Sequence, residues 1–223
     1  MAVARPDSAQ RRSPLTRARV LEAAVSLADR EGIEAVSMRR LGTELGIEAM
    51  SLYTHVRGKD DLLDGMIELV IGEIPIHRDG ADWKDSLRTT ILSARRVVLR
   101  HPWAPRIIES RTDPGASGLR YYDAVMGILR EGGFSLEMTH HAIHLLGSRL
   151  LGFTQDLFDD SPDVDPAAMT AMAAAVADSH PYVSEMALGA THDGALGGCD
   201  DDVEFAFGLD LILDGLERQR DPA

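Results

Sequence analysis

Cysteine is nearly absent from this 223-residue chain. Cys199 stands alone, which excludes an internal disulfide and a cysteine-built zinc cage and fits a reducing cytoplasm. No run approaches the roughly 20 consecutive apolar residues that a membrane-spanning helix requires, so a soluble chain with no membrane partner is expected. The opening MAVARPDSAQRRS lacks the apolar core of a secretory signal, and its scattered Arg, Pro and Asp predict a disordered arm over residues 1–13. Alternation of apolar and polar residues does not persist over any useful length, which argues against a sheet-built core and for an all-α fold. There is no internal repeat and no HExxH pattern. Positive charge is scarce too: 23 Lys and Arg stand against 36 Asp and Glu, a formal charge of −13.

That deficit is unevenly spread. Residues 1–60 carry a balance of +2 and the remainder carries −15. An acidic body repels a phosphate backbone, so any nucleic-acid contact is confined to the N-terminal quarter. A length of 223 residues suits a small module joined to a larger one.

Helical signals begin at Ser13-Pro14, a cap followed by a first-turn proline, and Leu21, Ala24, Val25 and Ala28 then recur at i, i+3, i+4 and i+7 until Gly32. Ser37 caps a second short helix with Met38, Leu41 and Leu45 on one side, and Gly46 supplies a left-handed turn to end it. A third helix is expected over residues 48–56. There Leu52 and Val56, one turn apart, point inward and leave Met50, Ser51, Tyr53 and Thr54 outward. Helix, glycine turn, helix is the helix-turn-helix arrangement, in which the first turn of the second helix enters the major groove; helical hairpins joined through glycine also occur as plain packing units. Further helices are expected at about 60–73, 83–100, 118–131, 135–158 and 203–218, with a short turn after Pro102 and a short helix after Pro181. The stretch DDSPDVDPAAMTAMAAAVADSH predicts a mobile loop with at most a weak helix.

With GIEAVSMRRLGTELGIEAMSLYTHVRGKDDLLD laid out, the chain resembles the TetR family of transcriptional repressors, and within it the tetracycline-repressor subgroup. The specific part is Leu52-Tyr53-Thr54-His55-Val56-Arg57-Gly58-Lys59, and similarity continues in DWKDSLR, GGFSLE and FAFGLDLILDGLERQ. The resemblance implies a three-helix helix-turn-helix domain over residues 14–60 and a larger helical effector-binding and dimerisation domain over 61–223. It also implies a homodimer on a palindromic double-stranded DNA operator, released by a small-molecule effector and needing no further cofactor. Long helices around 135–158 and 203–218 would pair with their symmetry mates, placing Leu209, Ile212, Gly215 and Leu216 at the dimer interface.

Roles follow by position. Arg39 matches a family position that reaches a guanine, whose O6/N7 pair suits a guanidinium, and Arg40 could equally contact phosphate. Glu48, Ala49, Met50 and Ser51 open the recognition helix: the carboxylate can accept from cytosine, methyl groups can pack on thymine, and a hydroxyl serves either. Ala49 and Met50 replace the Gln and Pro of the tetracycline repressor, so a different operator is expected. Tyr53, His55 and Lys59 match positions that contact phosphate or base and set register.

On the effector side the family's metal-binding histidine is replaced by Ile108 or Glu109, its Arg-Pro by Asp113-Pro114, a drug-contacting amide by Thr90, and the pocket carboxylate becomes Asp156. These departures argue against tetracycline-magnesium. The expected pocket is drawn from Glu109, Tyr122, Val125, His140, Ile143, His144, Phe153 and Asp156. His140 and His144, four apart, have metal-compatible spacing, but hydrogen-bonding pocket or interface histidines, with His141 beside them, are favoured over a metal site. Two alternatives remain: an effector-independent DNA-binding regulator or activator, and an all-α metalloenzyme using His140, His144 and Asp156.

Overall fold

A computed structural model describes residues 14–80, 82–152, 165–189, 191–192, 195–196 and 200–220. The chain divides into two compact units, one of residues up to 76 together with 93–124, the other of 77–92 together with 125 onward. The expectations for the arm at 1–13, for Phe153 and Asp156, and for the far end of the 135–158 helix lie outside the described residues.

In the first unit, α1 (Arg17–Glu31) starts later than expected. Thr16, not Ser13, is the cap: its hydroxyl accepts the Arg19 N–H at 3.3 Å. The helix ends at Gly32, which has φ 84°. Its inner face buries Val20, Leu21, Ala24, Val25, Leu27 and Ala28, each larger side chain contributing about 1.5–3 kcal/mol. A 3-10 turn (Ile33–Ala35) leads to α2 (Met38–Leu45), where Ser37 caps the Arg40 N–H and Gly46 closes the helix at φ 67°, in the left-handed region. Then come α3 (Ala49–Leu52) and α4 (Lys59–Gly72). Helix α1 packs on both α2 and α4.

Residues 93–124 complete this unit. Helix α5 (Trp83–Arg100) has the expected bounds, and α6 (Ala104–Glu109) is the turn expected after Pro102. Between them His101 is buried, with Nδ1 2.8 Å from Asp29 of α1 and Nε2 3.4 Å from Glu73 at the end of α4. Trp103 is also buried and donates its indole N–H to the same Asp29 carboxylate at 2.7 Å. One acidic residue on α1 thereby satisfies two buried groups from the short segment joining α5 to α6. Helix α7 (Gly115–Glu131) begins with its Gly115 N–H bonded to Asp113 and its Ser117 N–H bonded to Glu68 of α4.

In the second unit, Phe134 is buried and meets Trp83 edge-on at 4.7 Å, beside α8 (Leu136–Leu151). Helices α9 (Pro166–Ala175) and α10 (Pro181–Gly189) pack together, and α11 (Asp201–Gln219) packs on α8. Helix α9 is a ten-residue helix where only a weak one was expected, and Asp165 caps it by accepting the Ala167 N–H. A two-residue pair, β1 (Thr191–His192) with β2 (Ala195–Leu196), leaves the fold all-α as expected. Among the described residues no helix is long and apolar enough to cross a membrane.

Candidate nucleic-acid interface and effector cavity

Helices α2 and α3 approach closely because Gly42 has no side chain. A Cβ there would sit 2.9 Å from the Ile47 carbonyl oxygen and 3.1 Å from the Ala49 nitrogen. The turn is fixed by the Ile47 N–H bonding to the Gly42 carbonyl at 2.9 Å. Ile47 is half-buried at this turn. The helix is shorter than the expected 48–56: after Leu52 the chain tightens into i→i+3 bonds, Tyr53 N–H to Met50 O, Thr54 N–H to Ser51 O and His55 N–H to Leu52 O. The Thr54 hydroxyl also donates to Ser51 O at 2.7 Å, competing for the carbonyl that would extend the helix.

The inward and outward faces divide as expected. Leu52 and Val56 are buried, whereas Met50 is 75% and Tyr53 48% exposed. Ser51, Thr54 and Glu48 are exposed too, Ala49 and His55 half-buried. Met50 and Tyr53 thus present large side chains to solvent from this short segment. Arg39, Glu48 and Ala49 line one open depression with Gly42, Thr43, Gly46 and Ile47.

The two arginines of α2 separate. Arg40 pairs with Glu31 at 2.7 Å, which raises its pKa, the hydrogen bond being the larger cause. Arg39 is exposed and has no ion pair among the described residues. The two adjacent arginines therefore differ in their partners, Arg40 being ion-paired and Arg39 not.

A second group braces the segment after α3. Arg17 of α1 donates to both Asp61 carboxylate oxygens, at 2.9 and 2.8 Å, and to the His55 carbonyl at 2.9 Å. Asp61 also accepts the Arg57 N–H at 2.8 Å. The Arg17 hydrogen bond, with help from Arg57, holds the Asp61 carboxyl below the usual carboxylate range. His55 and Lys59 are thus carried on a backbone clamped from α1, with the Lys59 side chain exposed.

The first unit also has a partly open cavity of about 270 Å³, lined by Ile67 and Ile71 of α4, Ile108 of α6, the loop residues Arg111 to Pro114, and Gly118 and Tyr122 of α7. Of the described residues expected to bind an effector, only Tyr122 lines it. Glu109 is exposed, Val125 is buried and Ile143 half-buried. His140 and His144 are exposed on α8 with rings edge-on, centroids 4.6 Å apart, and His141 lies beside them. Among the described residues no group of three or more His, Cys, Asp or Glu is placed to hold a metal ion. Thr90 is fully buried, its hydroxyl accepting the His77 N–H at 3.1 Å, so it serves the backbone.

Sequence reasoning missed Ile67, Ile71 and Arg111, and of the two residues it aligned with the family's histidine, Ile108 lines the cavity. The available signal was periodicity, because Asp60, Asp64, Ile67 and Ile71 share one face of α4 at i, i+4, i+7 and i+11. Two of the four residues expected at a dimer interface face the chain's own core. Leu209 and Leu216 are buried inside their own unit with Phe205 and Leu213, and Ile212 and Gly215 are half-buried. The apolar residues that α11 leaves outward are Val203, Phe207 and Leu211, at i, i+4 and i+8.

Comparison with known proteins agrees with this geometry. Residues 20–66 match the description "Bacterial regulatory proteins, tetR family", and residues 75–220 match "Tetracyclin repressor-like, C-terminal domain". An HTH-type transcriptional regulator of Saccharopolyspora erythraea is 38% identical over 132 residues, 58% of this chain and 56% of that protein. The HTH-type transcriptional repressor DrrR1 of Streptomyces coeruleorubidus is 32% identical over 219 residues, 91% of this chain and 77% of that protein. The crystal structure of the Streptomyces coelicolor TetR family protein ActR in complex with actinorhodin, 28% identical, superposes with a TM-score of 0.75, covering 94% of this chain and 100% of that one. With an outward α3 face carried on a glycine-closed turn, and both family descriptions met in order along the sequence, the chain belongs to the TetR family of bacterial transcriptional regulators, DNA-binding proteins and not enzymes.

Proposed function

We propose that the protein acts in the cytoplasm as a homodimeric repressor on a palindromic operator and is released by a small molecule other than tetracycline-magnesium. The observation that carries this reading is the outward display of Met50 and Tyr53 over buried Leu52 and Val56, beside an uncommitted Arg39. Arg39, Glu48, Ala49, Met50 and Ser51 read bases, while Tyr53, His55 and Lys59 set register on the phosphates. Arg40 supports α2 through Glu31.

Homodimer formation is supported by the apolar stripe Val203, Phe207 and Leu211 on α11 and by exposed Leu136 and Leu145 on its packing neighbour α8. Contiguous exposed apolar surface of this kind marks association sites. The strongly acidic remainder of the chain keeps DNA at the N-terminal module alone. The cavity beside α4 supports a small-molecule effector, and the departures at Asp113-Pro114 and Thr90 argue against the tetracycline-magnesium chemistry of the subgroup.

Selection of duplexes from a random library by the full chain at low salt tests this. The expected result is one enriched palindrome with half-sites spaced by about 10–10.5 base pairs or a multiple. Enrichment of a single unrepeated site, or of none, would overturn the reading.

A further inference from the structure

We infer that the cavity beside α4 takes an apolar organic anion, a carboxylate or phenolate on a hydrocarbon skeleton, and that Arg111 is the residue that recognises its charge. The inference rests on the proposed ligand-released regulator and names the chemistry of its effector.

The walls contributed by Ile67, Ile71, Ile108, Pro114 and Tyr122 are largely apolar, which suits a hydrocarbon skeleton. Two charged side chains line the same space, Arg111 and Asp113. Their surroundings differ: the Asp113 carboxylate accepts the Gly115 N–H at 2.9 Å at the start of α7. Arg111 is only 22% exposed, and its Nε is buried without a hydrogen-bond acceptor. That nitrogen lies 3.2 Å from an Asp64 oxygen, within ion-pair range, yet its N–H is not satisfied. A buried, unsatisfied guanidinium N–H in a cavity wall favours a ligand that brings an acceptor, and an anionic acceptor most of all.

The position of Arg111 also gives ligand binding a route to the reading head. Its other contact is Nη1 to Asp60 at 3.3 Å, so its present partners are both on the first two turns of α4. Those turns carry Lys59 and also Asp61, which is clamped by Arg17. An anion that draws Arg111 off Asp60 and Asp64 leaves two carboxylates uncompensated on the DNA-facing end of α4. Occupancy of the cavity is therefore felt where the phosphate-contacting segment begins.

Calorimetric titration of the full chain with 1-naphthoate, 1-naphthamide and 1-naphthylmethylammonium, without DNA, tests the inference. Wild type is expected to bind naphthoate at least about tenfold more tightly than the amide, and Arg111→Gln to lose that preference. Asp64→Asn removes the competitor for Arg111 and is expected to bind naphthoate severalfold more tightly, which keeps the test intact if Arg111→Gln does not fold. Equal binding of amide and naphthoate, tighter binding of the ammonium, no binding of any of the three, or an unchanged Asp64→Asn would each overturn it. Because no DNA is present, a chain that prefers the anion but selects no palindrome loses only the operator reading. One that selects a palindrome without preferring the anion loses only this inference.

Discussion

Arg39 and Arg40 are adjacent in sequence and equal in charge, and nothing in their order says which one faces DNA. The difference arises from a third residue: Glu31, at the end of α1, reaches Arg40 and leaves Arg39 alone. This is why periodicity exposed both candidates but could not rank them. Asp61 shows the same dependence on a distant partner. Its carboxylate is held below the usual range mainly by Arg17, 44 positions earlier, so its folded pKa is depressed relative to an unfolded value near 3.9. The contribution is fully present above that unfolded value and is lost as pH falls through the depressed folded one. Wild type is therefore expected to lose melting temperature on acidification below about pH 4. Asp61→Asn, less stable at neutral pH, is expected to show a gap to wild type that narrows over the same window in thermal denaturation. A gap constant with pH would contradict this electrostatic role.

At the scale of elements, most helices were legible because their apolar residues repeat at helical spacing and their ends carry Ser, Gly or Pro. Ser37, Gly46 and Pro181 mark boundaries through cap chemistry and backbone geometry that act locally. The recognition helix was read too long because its end is set by the tightened turn at Tyr53 to His55, not by a glycine or proline. The cavity was legible only in part, since its walls come from α4, α6 and α7, and no short motif records which faces of three helices meet. The polar brace at Asp29 was not legible at all: its partners His101 and Trp103 lie more than 70 positions away. Replacing Asp29 by Ala leaves the buried Trp103 N–H and the His101 ring without their acceptor. The expected loss is about 1–3 kcal/mol in urea denaturation, the cost of stranding a buried donor. A change within about 0.5 kcal/mol, as for an ordinary surface substitution, would show that the brace is ornamental.

For the whole molecule, a chain of charge −13 in a DNA-binding family is expected to make its DNA contact locally, through the N-terminal module where basic residues outnumber acidic ones. The resemblance to the family places the expected dimer interface on α11 at Leu209, Ile212, Gly215 and Leu216, of which Leu209 and Leu216 face inward. Leu209 and Leu216 fill their own core, and Phe207 and Leu211 stand outward. Phe207→Glu combined with Leu211→Glu is expected to yield a folded monomer by sedimentation and to weaken operator binding by more than about tenfold, since a single half-site retains only half of the contacts. Replacing Leu216 by Glu is expected instead to unfold the second unit, because it places a charge in a buried position.

The most direct test of the reading head is a titration of wild type, Arg39→Ala and Lys59→Ala against every single-base variant of the selected operator across a range of salt. Arg39→Ala is expected to lose about 1–3 kcal/mol and to stop discriminating at one position per half-site, while Lys59→Ala weakens all sequences alike and lowers the salt slope by about 1. A uniform loss from Arg39→Ala, with discrimination intact at every position, would contradict the claim that the α2–α3 face reads bases.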